Sequence, residues 1–225
     1  MAPKIAIVFY SMYGHVQKLA EAEAEGIRPP AVPAISTSKP PPRSLPSTIY
    51  RTKTDLAQGP RDSPGGRPLQ DARSPKSNIP VLHEPKTLEQ YDGFLFGIPT
   101  RYGNYPAQFK AFWDHTGAQW QTGAFWGKYA GLFVSTGTLG GGQESTAIAA
   151  MSTLAHHGFI YVPLGYKTVF GTLADLTEVR GGSPWGAGTF AGGDGSRQPT
   201  EKELLLATEQ GKAFYQALAK VNFSA

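Results

Sequence analysis

The sequence predicts an α/β domain built on a doubly wound parallel sheet, three layers deep (αβα). Short, nearly continuous apolar runs at residues 4–10, 93–98 and 130–134 have the character of strands buried on both faces. Each run ends in a turn rich in Gly, Ser and Thr. After each turn the apolar spacing changes to that of a helix. Strands that alternate with helices in this way build parallel sheets through crossover connections.

The elements follow in chain order. Residues 4–10 form the first strand, and Ser11-Met12-Tyr13-Gly14-His15 breaks it. From Val16 a helix begins, with Val16, Leu19, Ala20, Ala24 and Ile27 on one face. Residues 93–98 are the next clear strand, closed by Pro99-Thr100-Arg101-Tyr102-Gly103, and a helix is expected over 106–116. The Phe109, Phe112 and Trp113 side chains are assigned to its core face. Residues 130–134 form a strand that runs into Ser135-Thr136-Gly137-Thr138-Leu139-Gly140-Gly141-Gly142-Gln143, before a helix over 144–157. Residues 159–163 form a further strand and 170–198 a long Gly-rich loop. Thr200 and Glu203 make a capping box for a last helix over 201–220.

Composition excludes several classes of function. The chain has 225 residues and no cysteine, so it holds no disulfide framework, no thiolate metal site and no cysteine nucleophile. No third ligand with sensible spacing accompanies His156-His157, so no metal site is expected. No apolar run is long enough to span a bilayer, for which about 18 residues are needed. The first residues lack the layout of a signal peptide, and a cytoplasmic location is expected. The net charge of +4 is concentrated in residues 28–76, which carry +6 and leave −2 for the rest. The basic character therefore belongs to one segment, and no nucleic-acid partner is expected.

In a doubly wound sheet, ligands sit beyond the carboxyl ends of the strands. The three Gly/Ser/Thr-rich turns fall there. Ser11 to Val16 leaves backbone N–H groups unpaired at a helix start, where the helix dipole favours an anion; a phosphate monoester is the natural guest. Thr100, Arg101 and Tyr102 offer a hydroxyl, a guanidinium and a flat ring, suited to the edge and face of a heterocycle. The run Gly140-Gly141-Gly142 permits close backbone approach to a planar ring. Trp120 could sandwich a flat substrate. Taken singly, the three turns can also be read as an ordinary cap, a surface loop and a flexible connection, respectively.

Together these motifs resemble the WrbA family, type IV NAD(P)H:quinone oxidoreductases of flavodoxin-like fold, and in particular its fungal branch. The resemblance rests on Ser11-Met12-Tyr13-Gly14-His15, Pro99-Thr100-Arg101-Tyr102-Gly103-Asn104, Thr116-Gly117-Ala118-Gln119-Trp120, the run from Ser135 to Glu144, and Leu154-Ala155-His156-His157-Gly158. It implies FMN as cofactor, with Ser11, Met12, Tyr13, Gly14, His15 and Val16 around its phosphate. Thr100, Arg101 and Tyr102 would flank the ring, and Ser135, Thr136, Gly137, Thr138, Leu139 and Gly140 would close the site. The resemblance also implies a flavin contact from His156, from a neighbouring subunit or the pocket wall, a substrate pocket lined by Trp120, and a nicotinamide contact from Tyr13. The reaction implied is a ping-pong, two-electron reduction of a quinone by NADH or NADPH, with no side chain cast as catalytic acid or base, in a homotetramer. A flavodoxin-type electron carrier and a scaffold that has lost flavin are the other two readings.

Residues 28–76 depart from that family. They hold 11 of the chain's 19 prolines, which break helices and strand ladders alike. The expectation is a single domain over 1–225 whose second strand and following helix are in doubt, with 28–76 irregular. One reading is a shifted frame or mis-spliced message. With suitable codons, dropping two bases within residues 28–37 restores Gly-Asp-Ile-Tyr, and dropping one within 62–74 restores a helix-like stretch. The other is a basic, Pro-rich insertion that binds a partner.

Overall fold

The computed structural model describes residues 2–28, 47–52 and 78–223. Its core is a parallel sheet of seven strands: β1 (Ile5–Phe9), β2 (Ser47–Thr52), β3 (Val81–Leu82), β4 (Gly93–Pro99), β5 (Tyr129–Thr136), β6 (Ile160–Tyr161) and β7 (Gly188–Phe190). They lie in the order β3-β2-β1-β4-β5-β6, with β7 also on β5. The chain moves outward one way from β1 to β2 and the other way from β1 to β4. The topological switch point is therefore the β1–β4 seam.

Alternation along the central strands sends side chains to two cores. Ile5, Ile7 and Phe9 of β1, Leu95 of β4 and Phe133 of β5 pack under α1 (His15–Ile27) and α6 (Glu201–Leu218). Ala6, Val8, Phe94, Phe96, Ala130 and Leu132 face the other way, toward α2 (Ala107–Asp114) and α4 (Gln143–His157). Both faces being covered explains why these strands read as unbroken apolar runs. Phe109, Phe112 and Trp113 are buried, as their helical spacing implied. Two short helices complete the set, α3 (Gly117–Thr122) and α5 (Phe170–Leu173).

Three expectations need correction. Residues 28–76 are not irregular throughout, because Ser47–Thr52 pairs in parallel with β1 in an unbroken register from Ile5↔Ser47 to Phe9↔Arg51. The β-branched and aromatic run Thr48-Ile49-Tyr50 supplies the strand propensity, and Tyr50 donates to or accepts from Tyr91 across 2.9 Å. The second strand is thus present, while the helix expected after it lies outside the described residues. Residues 170–198 are not all loop, since α5 and β7 lie within them. The strand expected over 159–163 is only Ile160–Tyr161. β6 covers just the start of β5, and β7 pairs with Val134, Ser135 and Thr136 at its other end.

The capping box at α6 is complete. Thr200 Oγ1 accepts from Glu203 N–H at 3.4 Å, and Glu203 Oε2 accepts from Thr200 N–H at 2.9 Å.

Candidate functional site

The loops that follow β1, β4 and β5 lie side by side at the carboxyl edge of the sheet, because these strands are consecutive neighbours. The first loop is set by Gly14, whose φ of +89° is open to glycine at no steric cost. Its N–H donates to Ser11 Oγ at 3.0 Å, so Ser11 shapes the loop. Among the described residues, no side chain caps α1. The first intrahelical bond is Lys18 N–H to Gly14 C=O at 3.0 Å. The amides of His15, Val16 and Gln17 precede it and point out of the helix start. Among the described residues, a methyl group added at Gly14 would meet nothing within 4 Å, so none of them blocks the approach to these amides.

The second loop is a tight two-residue turn. Arg101 and Asn104 exchange backbone hydrogen bonds of 2.9 and 3.0 Å around Tyr102 and Gly103. Both central residues have positive φ, 54° and 75°, which is the type I′ pattern. A tyrosine there is strained, and its ring is fully exposed. Thr100 Oγ1 accepts from Gly103 N–H at 3.0 Å and shares a 2.7 Å hydrogen bond with Thr146 of α4.

The third loop meets the second closely. A methyl group on Gly142, the residue before α4, would lie 3.0 Å from Gly103 Cα. Ser135 and Thr136 are buried, and the Thr136 hydroxyl donates to the Thr138 carbonyl at 3.1 Å. Thr138, Leu139 and Gly140 are exposed at the rim, beside the less exposed Gly137. At the base of the seam, burial raises the pKa of the Tyr10 hydroxyl; the charge of Arg101 partly offsets this and Tyr13 adds to it. The first two loops thus share one electrostatic environment.

Two sequence-predicted site residues lie elsewhere. Trp120 is on α3, which Gln119 ties to Glu89 ahead of β4 through a 2.8 Å hydrogen bond. His156 ends α4, whose other end carries the third loop. Next to it, Gly127 N–H donates to Gly158 C=O at 2.9 Å, just before β5. Trp120 and His156 therefore occupy the amino edge of the sheet, about 20 Å from the loops along a helix of this length. Both are exposed, and Trp126 is exposed beside them. Its neighbour His157 is buried, accepting from or donating to Thr116 at 2.9 Å, and desolvation lowers its pKa.

Sequence reasoning missed the back wall of the first loop. His15 Nε2 donates to the Arg197 carbonyl at 2.8 Å, a contact across most of the chain. No local pattern signals it, although the Gly-rich run ahead of the α6 capping box marks where the partner lies.

Comparison with known proteins shows the family. The chain is 60% identical to "Minor allergen Alt a 7" of Alternaria alternata over 222 residues, covering 99% of this chain and 100% of that protein. It is 51% identical to "NAD(P)H quinone oxidoreductase PST2" of Candida albicans, covering 97% of each. The chain belongs to this family of fungal proteins. A family model described as NADPH-dependent FMN reductase matches residues 64–170. The fold superposes on a flavodoxin, WrbA-like protein from Agrobacterium tumefaciens with a TM-score of 0.62 at 20% identity, covering 98% of this chain and 99% of that one. The family members therefore share a flavodoxin-like frame.

Proposed function

We propose that the chain is an FMN-dependent NAD(P)H:quinone oxidoreductase of the WrbA type. The carrying observation is the start of α1 at the switch point, where among the described residues no side chain caps the first three amides and nothing crowds Gly14. A phosphate dianion fits that donor set better than any neutral group, since the amides and the helix dipole act together. When bound, FMN would supply the redox chemistry, a two-electron relay between a nicotinamide and a quinone.

The protein's own part is to bind and orient. His15, Val16 and Gln17 would hold the phosphate through backbone N–H groups. The rigid turn at Tyr102 would set an aromatic face and the Arg101 charge beside the ring. Ser135 to Gly140 would close its far side with backbone, and Tyr13 would meet the nicotinamide. The names of the Candida relative and of the family model support this reading.

Trp120 and His156 fit the same scheme through a second copy of the chain. Their exposed edge, with Trp126 and Ile160, is the part of the surface that could be laid over another copy's loops in a homotetramer. We place the enzyme in the cytoplasm; among the described residues no helix is long and apolar enough to cross a membrane.

The test is reduction of benzoquinone by NADH or NADPH, with the purified chain and added FMN. Activity that requires FMN and rises with either nicotinamide is expected. FMN binding without quinone reduction would favour an electron carrier and overturn the enzymatic reading.

A further inference from the structure

We propose that Glu203 is a positioning residue for the cofactor phosphate, acting through Arg197 and His15. The inference rests on the reading that the first turn of α1 receives that phosphate. Glu203 is fully buried, yet its carboxylate serves far more than the capping box. Oε1 accepts from Gly181 N–H at 2.7 Å, and Oε2 accepts from Thr189 Oγ1 at 2.8 Å. Oε2 also accepts from Arg197 Nη1 at 3.0 Å, in addition to Thr200 N–H. One buried charge therefore collects donors from the residue before α6, from β7 and from two loops. A single paired cation, with every acceptor position occupied, is what makes such burial tolerable.

Arg197 carries the constraint onward. Its guanidinium is spent inward: Nη1 also donates to Phe190 C=O at 2.7 Å and Nη2 to Val179 C=O at 3.1 Å. Its amide donates to Ala191 C=O at 2.9 Å. What leaves the loop is its own carbonyl, which accepts from His15 Nε2 at 2.8 Å. A carbonyl only accepts, so Nε2 must carry the proton. His15 is the first residue of α1, its side chain is buried, and its own amide is one of the three in question. The next residue repeats the contact: Gln198 Oε1 accepts from Lys18 Nζ at 2.7 Å. Residues 197 and 198 thus grip both ends of the first helical turn. Arg197 supplies position rather than charge to the phosphate, because its charge is paired with Glu203 and three of its five N–H groups already donate inward.

A positioning role makes a selective forecast. Riboflavin has the ring of FMN but lacks the phosphate, so it reports the ring site alone. FMN and riboflavin are titrated by fluorescence quenching against the full chain and against Glu203→Gln, Arg197→Met and the double variant. FMN affinity is expected to fall tenfold or more in each single variant, while riboflavin affinity changes less than twofold. Because the two side chains act in series, the double variant should lose no more than the worse single one. Equal losses for both flavins, unchanged FMN affinity, or additive losses in the double variant would overturn the proposal. Arg197→Met alters a partly exposed side chain and keeps the test open if Glu203→Gln does not fold. Should the unaltered chain bind FMN no better than riboflavin, the phosphate reading beneath the proposal fails instead.

Discussion

Gly211→Ala should destabilise this protein, although alanine is the better helix former. Gly211 lies within α6 where it crosses α1. A methyl group there would sit 2.1 Å from the Glu23 carbonyl oxygen and 2.9 Å from its carbon. Gly26 on α1 mirrors it, with its methyl position 1.9 Å from Thr208 O. Both obstacles are backbone, so no rotamer change relieves them. Alanine gains about 1 kcal/mol in helix propensity over glycine. Overpacking costs about 1–3 kcal/mol and more where nothing can yield. The helices must part by about 1 Å to reach ordinary van der Waals separation. The clash wins, with a net loss of about 2 kcal/mol, which is a fall in Tm of about 4–8 °C for a chain this long. Thermal unfolding followed by circular dichroism measures it. Gly117→Ala is the control, since its methyl group would meet nothing within 4 Å and should leave Tm unchanged or slightly raised. The two glycines sit at the same crossing of α1 and α6, so Gly26→Ala combined with Gly211→Ala should cost less than the sum of the singles. A Gly211→Ala protein as stable as the parent would refute the close backbone crossing. Since α1 carries the amides proposed to hold the phosphate, the same substitution should also weaken FMN binding.

Three further outcomes follow. Glu23 of α1 is fully buried, and among the described residues neither of its carboxylate oxygens has a hydrogen-bond partner. Desolvation holds its pKa well above the ordinary carboxylate range. Above about pH 4.3 the unfolded chain ionises this group while the folded one keeps its proton, so stability declines as pH rises until the folded pKa is passed. Each tenfold in proton affinity is about 1.4 kcal/mol. Glu23→Gln should therefore raise the urea midpoint more at pH 8 than at pH 5, and equal changes at both would contradict it. Tyr102→Gly should relieve a left-handed backbone that costs a non-glycine residue about 1–2 kcal/mol, raising Tm while weakening flavin binding; a lower Tm would show that the turn is not strained. If residues 28–37 and 62–74 derive from shifted frames, sequencing of spliced message should recover the Gly-Asp-Ile-Tyr frame, and a message encoding the present chain intact would exclude that origin.

The sequence carried the three loops and the central strands clearly, because strands buried on both faces must be apolar and the turns between strand and helix must be small and polar. Ser47–Thr52 was obscured by surrounding prolines, since the six-residue run has β-branched and aromatic residues but no clear alternation. Gly188–Phe190 is a strand only because the end of β5 offers it hydrogen bonds, and nothing in Gly-Thr-Phe states that on its own. The positions of Trp120 and His156 depend on which way a helix returns the chain across the sheet; motif order along the chain does not distinguish the two edges. The His15–Arg197 contact joins residues that meet only once the sheet has closed around β7.

The amide spectrum of isotope-labelled protein tests the central claim most directly. Adding FMN should displace the N–H signals of His15, Val16 and Gln17 strongly, and riboflavin should leave them almost unmoved. If FMN saturates the protein and those three signals stay where they were, its phosphate is held elsewhere and the account of the site is wrong.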